Sequence, residues 1–441
     1  MFSKKDIISL LIPLIIEQTL AVTVGIADIV MVASVGEAAV SGVSLVDTIN
    51  MLLSQVFAAL ATGGAIVVAQ YLGRQNKPSA CEAAKQLYNV MAAIGISVSV
   101  ICVVWHSEIL TFFYKAIEPA VMQSAQHYFL ATALSYPFFS VYNSGAALFR
   151  AQGNSRISML TALVMNTLNI AGNALLGYHY NMGVLGIGIS TLLSRIAGAV
   201  IMMWLIKNPH NTVYIDKFFP LNIKPKMIST ILHIGVPTGL ENGMFHFGKL
   251  MVAGLVASFG TVAITANAVG NSIATLACIP GSAIGLGMIT IVGQCMGAGE
   301  RAQAKKYIKL LMKIAYVIGG ATNIIVLLTI NQLVAAFGVS ELTAELAAII
   351  SCIHAGVWLV FWPTAFTLPN GLRAAGDVRF SMVVSVIIMW TCRIGLSYVF
   401  ALYFGWELIG VWIAMTIDWV ARTVLYVWRF YGQKWQSHVV I

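Results

Sequence analysis

The chain has 441 residues, 59% of them hydrophobic and 9% charged, with a net charge of +9. Globular domains are about 45–50% apolar and about 25% charged, so a soluble single-core protein is excluded. The basic residues are spread thinly with no aromatic-interleaved patch, which excludes a nucleic-acid binder. Apolar stretches able to cross roughly 30 Å of hydrocarbon recur from end to end. In chain order they predict helical spans over residues 7–32, 43–72, 86–107, 121–149, 157–178, 184–206, 228–256, 264–296, 308–334, 343–371, 380–404 and 408–428. Strands of a membrane barrel would be about ten residues long and alternate in polarity, which these do not. The expected fold class is an all-α polytopic membrane protein with 12 transmembrane helices.

Charge placement orients the chain. The N-terminus, the even-numbered loops, the central linker and the C-terminus hold 20 of the 25 Lys and Arg residues. Only Lys115 falls on the opposite side, and Arg195, Lys249, Arg393 and Arg422 lie within spans. The positive-inside rule makes the rich side cytoplasmic, with both termini inside a plasma (inner) membrane. Lys4 and Lys5 precede an apolar run that continues past Glu17 and Asp28 as a full span, unlike a cleaved leader. The six cysteines form no CxxC pair and read as small apolar fillers.

The chain also repeats itself. Shifted by 224 residues, the first two spans align with the seventh and eighth: Pro13 with Pro237, Glu17 with Glu241, Gly36 with Gly260, and Gly73 with Gly297. With one residue of slippage, Arg150-Ala-Gln-Gly153-Asn-Ser-Arg156 meets Arg373-Ala-Ala-Gly376-Asp-Val-Arg379. Each half has six spans that begin on the same side, so the repeat is parallel, with an axis along the membrane normal. The expected domains are an N-terminal lobe (1–207), a cytoplasmic linker (208–227) rich in proline, and a C-terminal lobe (228–441). Two pseudo-symmetric six-helix lobes suit alternating access, which favours a transporter.

Pro13 and Asp28 leading to Gly36, Arg150, Gly153 and Arg156, and Asn169 with Asn173 resemble the MATE (multidrug and toxic compound extrusion) family. So do Pro280, Gly287, Gln294 and Gly297 in the eighth span, and Gly410, Asp418, Trp419 and Arg422 in the last. The resemblance covers nearly the whole chain. It implies a secondary active transporter that exports organic, often aromatic, cations by antiport with inward-flowing H⁺ or Na⁺. The expected partners are small organic cations and the lipid bilayer, with no nucleic acid, no cofactor beyond the coupling ion, and a monomeric state.

A charge inside the bilayer is costly and marks a functional site by default. Asp28, flanked by Gly25, Ile26, Ala27, Ile29 and Val30, can carry a proton when neutral or hold Na⁺ when charged. The resemblance places the ion-coupling Asp there, together with Asn169, Asn173 and Thr191, which would be metal ligands under Na⁺ coupling. One common pattern of the family has Asp where this chain has Asn173; a single formal charge favours H⁺. Interhelical hydrogen bonding is the structural alternative for the two asparagines.

Glu17 and Glu241, repeat-related, are expected to serve structure first and otherwise to gate the substrate path. Asp418 and Arg422, four residues apart, are expected to pair. Tyr136 and Phe139 in the fourth span, and Trp358 and Trp362 in the tenth, are candidate wall residues for a cation path. The C-terminal half offers Lys249 and Arg393 rather than a coupling carboxylate, so coupling is assigned to the N-terminal half. A flippase for a lipid-linked or amphiphilic metabolite is the alternative. An enzyme is not expected, since the chain lacks HExxH, a phosphate-cradling loop and clustered histidines.

Overall fold

The computed structural model describes residues 1–33, 35–114, 118–218, 222–438 and 440–441, so Lys115 and Pro220 lie outside the described residues. The described residues are helical, with no strand among them. In chain order the helices are α1 (Lys4–Ala33), α2 (Glu37–Gly73), α3 (Lys77–Val104), α4 (His106–Phe113), α5 (Pro119–Leu134), α6 (Tyr136–Ala151), α7 (Ser155–Gly172) and α8 (Gly183–Ile206). There follow α9 (Pro225–Ala257), α10 (Thr261–Gly297), α11 (Arg301–Leu328), α12 (Ile330–Ala335), α13 (Glu341–Trp358), α14 (Leu368–Ala374), α15 (Val378–Ile388), α16 (Leu396–Tyr398) and α17 (Glu407–Tyr431).

Ten helical stretches are long and apolar enough to span a membrane by themselves. The two other expected spans have physical reasons to differ. The fourth is broken at Ser135 into α5 and α6, because Pro137 has no N–H to continue the ladder. The seventh, α9, is 33 residues long but carries Glu241, Lys249, His233 and His246. The tenth is likewise interrupted between α13 and α14, where Pro363 opens a π-helical turn, Pro363–Thr367.

The helices pack as two compact units, Ser3–Gly239 and Leu240–Ile441 with Met1–Phe2. The division falls inside α9, because the linker is held to the first unit. The Gln86 side chain donates to the Asn222 carbonyl and accepts from Lys224 N, and Lys224 Nζ lies 3.4 Å from Glu82. In the first unit α2 packs against α3, α5 and α6, while α7 packs on α1 and α8. Small residues permit the approach: a Cβ on Gly42 would sit 2.8 Å from Ala125 N and 2.9 Å from Val121 O. In the second unit α10 packs against α11, α13 and α14. Around it Ala266, Ile273, Ile350 and Trp412 belong to one buried apolar cluster.

The repeat is legible in the geometry of each unit. Gly36 and Gly260 open α2 and α10 with φ of +133° and +87°, a region glycine alone enters freely. Gly153 and Gly376 end α6 and α14 with φ of +82° and +98°. At both, the glycine N–H bonds three residues back and the next N–H five back, which closes a Schellman motif. The arginine three residues before each glycine turns inward. Arg150 Nη1 lies 3.0 Å from Glu17 Oε1, and Arg373 Nη2 lies 2.6 Å from Glu241 Oε1.

Candidate functional site

Asp28 sits in the final turns of α1 and is half-buried. Its partner comes from the end of α7, where the helix widens at Asn173 into a π-helical turn, Asn173–His179. Such turns re-aim side chains and recur at functional sites. Asn173, fully buried, donates from Nδ2 to Asp28 Oδ1 at 2.9 Å and to Asn169 Oδ1 at 3.4 Å. Asn169 Nδ2 donates to Thr191 Oγ1 at 3.2 Å, and Ser190 Oγ ties the Asn169 carbonyl at 2.7 Å. The four residues expected to act together thus form one chain of hydrogen bonds. Asn173 Oδ1, also buried, has no hydrogen-bond partner among the described residues. An unpaired buried acceptor is costly, so this oxygen is poised for a donor or a cation.

A second carboxylate, absent from the sequence expectations, lies close by. Asp47 of α2 is solvent-accessible and accepts from Tyr128 Oη and Asn50 Nδ2, both at 3.2 Å. Tyr136 Oη donates to Asn50 Oδ1 at 2.7 Å, so Tyr136 is a buried strut of this network. Arg195 of α8 donates to Ser135 Oγ at 2.7 Å and lies over the Phe139 ring at 4.4 Å. Asp47 and Arg195 both act electrostatically on Asp28. The available signal was the one charged residue of α2 beyond Glu37 at its first position.

The two glutamates expected to serve structure first are tied within their own units. Glu17 also accepts from Ser158 Oγ at 2.7 Å. Glu241 accepts from Ser385 Oγ, which in turn receives Arg422 Nη1 at 2.8 Å. Arg422 Nε lies 3.0 Å from Asp418 Oδ1, the expected pair. Trp358 and Trp362 are buried and stacked at 5.4 Å, so in this conformation they are packed side chains rather than open wall. Among the described residues no cluster of three or more His, Cys, Asp or Glu side chains could hold a metal.

A family model, MatE, matches residues 13–175 and again 237–399, two matches that start 224 residues apart, the register of the internal repeat. The chain is 26% identical to "Uncharacterized transporter YisQ" of Bacillus subtilis, covering 99% of this chain and 95% of that protein. It is also 26% identical to "Probable multidrug resistance protein NorM" of Thermotoga maritima, covering 99% and 94%. Among solved structures, the outward-facing conformation of a multidrug resistance MATE family transporter of the MOP superfamily matches with a TM-score of 0.90. The identity is 20%, over 98% of this chain and 96% of that one. A MATE in the bent conformation matches with a TM-score of 0.89 at 19% identity, over 98% and 96%. At such identities the likeness establishes the fold.

Proposed function

The chain belongs to the MatE family of multi-pass membrane transporters, and on that premise we propose that it exports organic cations by antiport with H⁺ or Na⁺. The observation that carries this reading is the buried, partnerless Asn173 Oδ1 beside the Asp28 carboxylate. Either coupling ion completes the arrangement. A protonated Asp28 can donate to that oxygen. Na⁺ can instead take oxygens from Asp28, Asn173, Asn169 and Thr191, a hard-ligand set.

Exchange follows from charge. An empty, ionised Asp28 attracts an organic cation, and arrival of the coupling ion removes that attraction and releases the drug. Each ligand shifts the equilibrium between two access states only by its difference in affinity for them. The positive-inside count supports cytoplasmic termini, and the bacterial relatives support an inner-membrane setting. Cells expressing the protein are expected to clear ethidium faster than cells without it. Asp28→Asn, inserted at wild-type level, is expected to return clearance to background; undiminished clearance would overturn the assignment of Asp28.

A further inference from the structure

A cavity of about 470 Å³ lies where the linker that follows α8 folds back over the start of α3. Lys77, Cys81 and Lys85 line it from α3, and Tyr214, Ile215 and Lys217 line it from the linker. The three α3 residues are four apart, so they share one face of the helix, with the small cysteine between two lysines. The linker wall is fixed by its own contacts. Val213 N donates to Gln152 Oε1 at 2.9 Å and Ile215 N to the Ile206 carbonyl at 3.0 Å, and both side chains are buried. Just beyond, the Phe218 ring meets Tyr88 of α3 at 5.6 Å. The groove is therefore built before a ligand arrives, with a volume typical of small-ligand sites.

Charge and depth point to its occupant. Counting Lys224, which lies 3.4 Å from Glu82, four ammonium groups stand around the groove against two carboxylates, Glu82 and Asp216. Lys77 Nζ lies 5.4 Å from the centre of the Tyr214 ring, so one ammonium is held where the two walls meet. The surplus of positive charge suits a phosphate, which lysines receive through charge-assisted hydrogen bonds. The membrane-spanning stretch of α3 begins at Lys77, and that of α8 ends at Ile206. Trp204, 73% exposed at this end of α8, is the residue type that settles at a membrane–water interface. The Ile215–Ile206 hydrogen bond sets the linker wall within one turn of it. The groove thus opens at headgroup depth, where the phosphate of a phospholipid is the anion at hand.

We propose that this groove binds the phosphate of an anionic phospholipid, received by Lys77, Lys85 and Lys217, with the Tyr214 ring beside the headgroup. A lipid held there bridges α3 and the linker that leads into α9. The site requires a chain that spans a membrane, and no particular substrate or coupling ion.

Native mass spectrometry of the purified full-length protein in detergent reads lipid binding directly, with no transport step. The protein is titrated with phosphatidylglycerol, with phosphatidylcholine as the zwitterionic lipid, and with glycerol phosphate as the free phosphate. The first phosphatidylglycerol is expected to bind about tenfold tighter than phosphatidylcholine, and glycerol phosphate to bind more weakly than phosphatidylglycerol. Lys77→Gln/Lys217→Gln, both at exposed positions, is expected to bring phosphatidylglycerol to the phosphatidylcholine level. Lys305→Gln/Lys309→Gln, at the start of α11, is expected to leave the preference intact. Equal affinity for the two lipids, a preference that survives Lys77→Gln/Lys217→Gln, or an equal loss in the α11 variant would each overturn the proposal. Glycerol phosphate bound as tightly as phosphatidylglycerol would overturn the lipid as the occupant. If melting curves show that Lys77→Gln/Lys217→Gln does not fold, alkylation of wild-type Cys81 by a maleimide decides. Protection by phosphatidylglycerol and not by phosphatidylcholine is then expected, and an unprotected Cys81 overturns the proposal.

Discussion

An amide buried beside a carboxylate donates through its nitrogen and leaves its oxygen to be satisfied by something else. Asn173 is in that position, with Nδ2 on Asp28 and Oδ1 bare. Asn173→Ala removes a hydrogen bond to a charged acceptor, a loss of about 1.5–3 kcal/mol. The apparent affinity for the coupling ion, read from the gradient dependence of efflux, is expected to fall by about tenfold or more. Asn173→Asp supplies the second carboxylate that one family pattern has, and is expected to raise the Na⁺-driven share of efflux. That Asp28, Asn169, Asn173 and Thr191 lie together was legible because the family resemblance carries them position by position. Asp47 was not, because its partner Tyr128 is 81 residues away and only the packing of α2 against α5 joins them.

At the level of elements, the repeat marks parts of the scaffold rather than chemistry. Its shared Arg-x-x-Gly ends a helix through the glycine and anchors a buried glutamate through the arginine, once in each unit. Glu241→Gln strands Arg373 in the interior and is expected to cost about 3–5 kcal/mol, seen as a lowered melting temperature in detergent. Gly42→Ala pushes a methyl against the α5 backbone, which has no rotamer by which to yield. A cost of about 1–3 kcal/mol is expected, with weaker export because α2 also carries Asp47. Span number and order were readable from hydropathy. The break at Ser135 and the widened turn at Asn173 were not, since a membrane proline can kink, break or be tolerated, and a π turn has no hydropathy signature.

Across the whole chain the two units share a scaffold and differ in charge. Within their spans the first carries Asp28, Asp47 and Arg195, and the second carries Lys249, Arg393, Asp418 and Arg422. Under the repeat register Asp28 aligns with Val252 and Asn169 with Cys392, so the hydrogen-bonded asparagine chain has no counterpart in the second half. The asymmetry was visible in the sequence as unmatched charges inside matched spans. The expected Asp418–Arg422 pair forms at 3.0 Å; what the sequence left open is that Arg393 lies 3.8 Å from the other oxygen of the same carboxylate.

The most direct measurement is ethidium efflux from proteoliposomes under separately imposed Na⁺ and pH gradients, for the wild type and Asp28→Asn. Acceleration by an inward gradient of one coupling ion is expected, the pH gradient first because Asp28 is the carboxylate bonded to the Asn173 amide, with no gradient response in Asp28→Asn. Gradient-driven efflux that persists in a folded Asp28→Asn protein would contradict that expectation.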